Sequence, residues 1–172
     1  MDIQKFSGFN TEGLCKVEFC YTAVVKKISS PDSNHQVTVE LKPPFVFHEI
    51  GFTKTDTSVD IRQVEDESGT WYGVKVDLVN PKLMPQKSAS FAWLEQKDLI
   101  IILTDNNGYK LLVGSIRKPA RLGYHMTNPA TGRNQRTVHI EAVHDIEPYF
   151  VKETIVSTEG AFSDGFSDGF NN

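Results

Sequence analysis

Leu99-Ile100-Ile101-Ile102-Leu103-Thr104-Asp105-Asn106-Asn107-Gly108-Tyr109-Lys110-Leu111-Leu112-Val113 is the stretch whose reading decides the fold. Its opening run is apolar without interruption and rich in β-branched side chains, but far too short to cross a bilayer. Asn107-Gly108 then supplies the strongest short hairpin signal, and Tyr109 to Val113 returns. The stretch predicts two antiparallel strands.

Working outward, Arg121 to Met126 and Thr137 to Val143 read as two further strands, separated by a polar loop, Thr127 to Gln135, that contains Pro129 and Gly132. Upstream, Val59 to Val64 and Tyr72 to Leu78 alternate apolar and polar positions on either side of the acidic turn Glu65-Asp66-Glu67-Ser68-Gly69. Leu14 to Val25 alternates as one long half-buried strand. Ile28 to Asn34 is a long turn, and Gln36 to Lys42 alternates again until Pro43-Pro44 removes the ladder donors. Phe45 to Phe52 is a short extended piece. Between Pro85 and Lys97, Ser88 as a cap with Phe91 and Leu94 three apart predicts the one short helix.

The whole predicts a mainly β chain of about eight strands, an antiparallel β-sandwich or partly closed β-barrel with at most one short helix. Residues 1–12 are expected to form an N-terminal arm, 13–152 the β domain and 153–172 a C-terminal arm. In that last segment Phe-Ser-Asp-Gly occurs twice, placing Phe162, Phe166 and Phe170 in register. The three rings cannot pack on one another as a core. They read either as a flexible tail or as anchors in a neighbouring subunit.

A length of 172 residues fits one domain with a real core, and 39% hydrophobic with 23% charged residues is a globular composition. A net charge of -4 disfavours direct nucleic-acid binding. The start Met1-Asp2-Ile3-Gln4-Lys5 has no apolar stretch behind it, so no Sec signal and no membrane anchor are expected. Cys15 and Cys20 fall on opposite faces of a strand and are expected to be free thiols.

The search for chemistry yields little. His139, Glu141, His144 and Asp145 have residue types suited to a divalent metal, but His144 falls on the opposite strand face from His139 and Glu141. Polar positions on an exposed strand are the expected reading, with no metal, cofactor or catalytic residue. No nucleophile elbow, phosphate-cradling glycine loop or Cys-x-x-Cys occurs. Arg117, Lys118, Arg121, Arg133 and Arg136 form the local positive density, expected as solvated rim or subunit contacts.

Four short pieces taken in order carry a resemblance: Glu49-Ile50-Gly51-Phe52-Thr53-Lys54, Gly69-Thr70-Trp71-Tyr72, Leu103 to Gly108 followed by Leu112-Val113-Gly114, and His144-Asp145-Ile146-Glu147-Pro148-Tyr149-Phe150. From Phe45 to Phe150 the chain resembles structural proteins encoded in the virion modules of phages and prophages that infect Bacteroidetes. It departs from them between Tyr124 and Asn134, which lacks an Asn-Gly-Tyr turn.

The resemblance implies a non-enzymatic β subunit of the tail or head-to-tail region, made in the bacterial host cytoplasm and incorporated in the virion. Its implied partners are further copies of itself, in a ring, and other virion proteins, with no small-molecule substrate and no membrane. Expected subunit contacts are Asn106 and Asn107 at the hairpin tip, Arg133 in the polar loop, and Phe162, Phe166 and Phe170. Two rival readings are a carbohydrate- or surface-binding module using Trp71, Tyr72, Trp93 and Tyr109, and a small metal-dependent hydrolase built on His139 to Asp145.

Overall fold

The structure is a computed structural model that describes residues 13–67, 69–81, 85–127 and 134–157. In chain order its elements are β1 (Leu14–Tyr21), a 3-10 turn (Thr22–Val24), β2 (Val25–Ile28), β3 (Gln36–Leu41), β4 (His48–Glu49), β5 (Thr53–Asp66), β6 (Gly69–Pro81), α1 (Pro85–Leu94), β7 (Leu99–Asp105), β8 (Lys110–Val113), β9 (Arg121–Thr127), β10 (Gln135–His144) and β11 (Phe150–Val156). The chain is mainly β, as expected. The expected arm 1–12, Arg133, and Phe162, Phe166 and Phe170 lie outside the described residues.

Two sheets form the fold, one of seven strands in the order β2-β3-β11-β8-β7-β1-β4 and one of four in the order β5-β6-β10-β9. They are not closed into a barrel, and of the two architectures left open by the sequence the sandwich-like one is observed. Between them lies the main core, to which Val17, Phe19, Ile101 and Leu103 contribute from one sheet and Val76 and Ile140 from the other.

The apolar run of β7 is explained by burial on both faces. Leu99, Ile101 and Leu103 enter the core between the sheets. Ile100 and Ile102 enter a second core behind the larger sheet, with Cys20, Val37, Val39 and Leu112. A strand with no solvated face has no polar positions to alternate with.

The β7–β8 hairpin forms as read, with a different turn. Gly108 has φ 86° and is the one residue of the tip with positive φ, which rules out a mirror-image two-residue turn. Instead the Gly108 N–H donates to the Asp105 carbonyl at 3.1 Å, a type I turn closed by glycine in the left-handed region. Asp105 Oδ1 accepts the N–H groups of Asn107 and Tyr109, each at 2.8 Å, and so supplies the internal scaffold of the tip.

Four expectations are corrected. The alternation from Leu14 to Val25 is not one strand, because the 3-10 turn at Thr22–Val24 breaks it and sends the chain from one side of the large sheet to the other. Ser88 does not cap a helix. It lies inside α1, where its hydroxyl accepts a hydrogen bond from Arg136 at 2.6 Å. The antiparallel expectation fails at β11, which runs parallel to β3. Finally, the sheet continues to Val156, past the expected edge of the β domain at residue 152, and the Ser157 N–H donates to the Leu41 carbonyl at 2.9 Å.

Gly114 follows β8 with φ 87°, and a Cβ there would sit 2.6 Å from the Ala120 amide nitrogen. That amide donates to the Leu99 carbonyl at 2.8 Å, in a bridge that ties the connection after β8 back onto β7. Gly114→Ala adds backbone strain and displaces this bridge together. Urea denaturation should show it less stable by about 3 kcal/mol.

Candidate functional site

β1 runs between two features that lie at its opposite ends. Its first residue, Leu14, pairs with Asp105 at the base of the hairpin tip, and its last, Tyr21, pairs with Leu99. Near the Tyr21 end, α1 packs over the mouth of the sandwich and leaves a cleft of about 520 Å³. Phe19, Tyr21, Ile50, Phe91, Trp93 and Leu94 give it an apolar lining, with polar atoms from His48, Glu49 and Asn80.

Trp93 is 53% exposed although it meets Tyr21 edge-on at 5.0 Å between ring centroids, and the Lys97 ammonium lies over its ring. Phe45 and Val46, just ahead of the edge strand β4, are exposed as well. The cleft is therefore aromatic, open and bordered by further apolar surface. Exposed apolar surface of this kind is suited to apolar groups of a partner.

At the other end, the hairpin tip projects with Asn106, Asn107 and Gly108 exposed. The Asn106 N–H donates to the Gly13 carbonyl at 3.1 Å, and Tyr109 packs edge-on against Phe150. Asn106 and Asn107 are thus exposed on a tip whose backbone is braced by Asp105. The Asn128 to Gln135 loop lies largely outside the described residues.

The remaining sequence-derived candidates do not converge. His139 Nδ1 is 2.6 Å from Asp77 Oδ1 on the neighbouring strand, and His144 Nε2 accepts the Gly114 N–H at 3.0 Å. These two histidines serve separate partners. Among the described residues no group of three or more His, Cys, Asp or Glu is placed to hold a metal ion. Trp71 donates to Asp66 at 2.9 Å near the β5–β6 turn, Trp93 lies on α1 and Tyr109 at the hairpin tip, so the aromatics are dispersed over three places. Cys20 is buried, which pushes its thiol up to about 12, and Cys15 Sγ donates to the Asp105 carbonyl at 3.1 Å.

The positive residues are also dispersed. Arg121 pairs with Asp98 at 2.7 Å, Lys118 pairs with Asp145, and Arg117 is exposed. Arg136 was expected at a solvated rim, and the structure places it at 0% exposure beneath α1. Its guanidinium stacks on Phe91 and Tyr124 at 4.6 and 5.2 Å. Asn80 is its cross-strand neighbour. Arg136 Nε and Nη1 and Asn80 Oδ1 find no hydrogen-bond partner among the described residues. No carboxylate among those residues pairs with this charge. Nothing local to Arg136 announces this burial, because an arginine in an alternating strand reads the same whether a helix covers it or not.

Two outcomes follow from this chemistry. Burial, helped by the Lys118 charge and opposed by Asp145, holds the His144 imidazole below its ordinary value of 6.5. Above that pH both folded and unfolded chains carry it neutral. Below it, the unfolded chain takes up a proton that the fold resists, so stability declines as pH falls, by at most about 1.4 kcal/mol per pH unit from this group. His144→Gln, which keeps an acceptor for Gly114, should flatten denaturation midpoints measured between neutral and mildly acidic pH. Arg136→Met removes a buried charge while keeping a long stem against both rings, and its thermal midpoint should equal or exceed that of the parent. A loss above about 2 kcal/mol would mean that the guanidinium has an essential partner.

Comparison of the chain with models of protein families, with curated proteins and with solved structures finds no match in any of the three.

Proposed function

We propose that this chain is a phage virion structural subunit of the tail or of the head-to-tail ring region. It works by homo-oligomeric assembly and by docking onto other virion proteins, not by catalysis. On this reading it is made in the cytoplasm of the bacterial host and ends in the particle.

The observation that carries the reading is the placement of an apolar cleft and a rigid projecting tip at opposite ends of β1. Heterologous contacts, in which one patch meets a different patch on the next copy, are what generate rings. They need two unlike surfaces on separate parts of one molecule, and the cleft around Trp93 and the tip around Asn107 and Tyr109 are two such surfaces. The resemblance between Phe45 and Phe150 to virion proteins points the same way. Arg133, Phe162, Phe166 and Phe170 remain proposed contacts of the loop and the C-terminal arm.

A carbohydrate platform is less well supported, since Trp71 and Tyr72 lie on β6, Trp93 on α1 and Tyr109 at the hairpin tip, in place of one shared stacking surface. The decisive measurement pairs two variants, Trp93→Asp in the cleft and Tyr109→Asp at the tip. In analytical ultracentrifugation the parent chain should form a closed oligomer and each variant alone a monomer. An equimolar mixture of the variants should stop at a dimer, because one intact cleft and one intact tip remain. A parent chain that stays monomeric, together with a resolved particle lacking this fold, would remove the reading.

A further inference from the structure

Asn107-Gly108, at the tip of the β7–β8 hairpin, is the one Asn-Gly pair in the sequence. Asparagine is thermolabile because the main-chain nitrogen of the next residue can attack its side-chain carbonyl carbon. Glycine, with no Cβ, leaves that nitrogen the least hindered. Here the new bond would join the Gly108 nitrogen to Asn107 Cγ and the Cγ–Nδ2 bond would break. Ammonia leaves, taking up the proton released by the Gly108 N–H. Water then opens the cyclic imide at either carbonyl, leaving aspartate or isoaspartate at position 107.

Nothing outside the tip stands in the way. Asn107 and Gly108 are both exposed, and a Cβ placed on Gly108 would meet no atom within 4 Å. The restraint comes from inside the turn, and it converges on Asp105. The attacking nitrogen is occupied, because the Gly108 N–H donates to the Asp105 carbonyl at 3.1 Å. Asn107 is held at two points by one carboxylate: its main-chain N–H donates to Asp105 Oδ1 at 2.8 Å, and its Nδ2 donates to Asp105 Oδ2 at 3.3 Å. The backbone is also turned the wrong way. In a type I turn the residue at Asn107's place has ψ near 0°, which eclipses the following nitrogen with the residue's own nitrogen, about 120° away from Cβ. Ring closure needs that nitrogen rotated toward Cβ, and the rotation breaks the hydrogen bonds to Asp105.

We propose that Asn107 is a site of spontaneous conversion to aspartate and isoaspartate, and that Asp105 holds it in the unreactive geometry. Isoaspartate would insert a methylene into the main chain and set a second carboxylate beside the first. Both changes oppose the turn, on which Tyr109 also depends, since its N–H donates to the same Asp105 Oδ1. The inference is independent of the virion reading, because it concerns covalent chemistry within one chain.

Peptide mapping by mass spectrometry tests it. The full chain is incubated at mildly alkaline pH, folded and in urea, and then digested with trypsin. The peptide Asp98–Lys110 reports the fraction of amide converted to carboxyl, and its fragments place the change. Folded parent should convert at least about tenfold more slowly than the urea-unfolded chain, since the tip must first open against several hydrogen bonds. Folded Asp105→Ala should lose most of that protection. Gly114→Ala, destabilised away from the tip but still folded, should keep it. Equal rates in folded and unfolded parent would overturn the inference, as would an Asp105→Ala chain no faster than the parent. Conversion that speeds up equally in Gly114→Ala would also overturn it, by showing that the reaction runs through global unfolding. Should Asp105→Ala fail to fold, Asp105→Ser, whose hydroxyl braces the turn more weakly, takes its place. A rate between those of folded and unfolded parent supports the proposal, and a rate equal to that of the folded parent overturns it.

Discussion

Four residue steps, from Tyr21 to Val25, impose the shape of the large sheet. β1 and β2 are consecutive in sequence yet are separated in the sheet by β3, β11, β8 and β7. In a flat sheet that separation would be about 24 Å, whereas four steps of chain reach at most about 14 Å. The sheet must therefore curl until its two sides approach, and the 3-10 turn at Thr22–Val24 is the short link that holds them there. Curling creates an inside, and the second core of Cys20, Val37, Val39, Ile100, Ile102 and Leu112 fills it. The double burial of β7, the inert Cys20 thiol and the absence of a solvated face on the central strands all follow.

Much of this was legible in local sequence. The β7–β8 hairpin and the β5–β6 hairpin each carry their evidence within a few residues, as alternation bounded by turn chemistry. What was not legible depends on pairings distant in sequence. Nothing in Phe150 to Val156 announces that it will insert parallel to β3, because its polar residues Lys152 and Glu153 look like the start of a tail. The alternation through Tyr21 and Ala23 continues straight across the turn that breaks the strand, so periodicity alone could not locate the break.

The surfaces were less legible than the fold. Asn106 and Asn107 could be found, since hairpin tips project wherever the hairpin goes. The Trp93 cleft could not, because it is assembled from β1, the segment after β4 and α1, and its existence depends on how α1 sits across the sandwich. Arg136 shows the same limit from the opposite side: its residue type says solvent, and only the position of Ser88 and Phe91 above it says otherwise. Local propensity settles the course of a strand, while clefts and buried charges are decided by what another element places on top of it.

The insertion of β11 between β3 and β8 has a consequence for the timing of biogenesis. Until the ribosome has made residues 150–156, the β2–β3 hairpin and the β8–β7–β1 block have no hydrogen-bonded connection with each other within the sheet. Both present open edges, and the second core lacks Val151. Closure of the sheet is governed by contacts of long sequence separation and is therefore slow. A chain that stops short of Phe150 therefore holds two open sheet edges in place of the finished curled sheet, and open edges are where strands of other chains can pair.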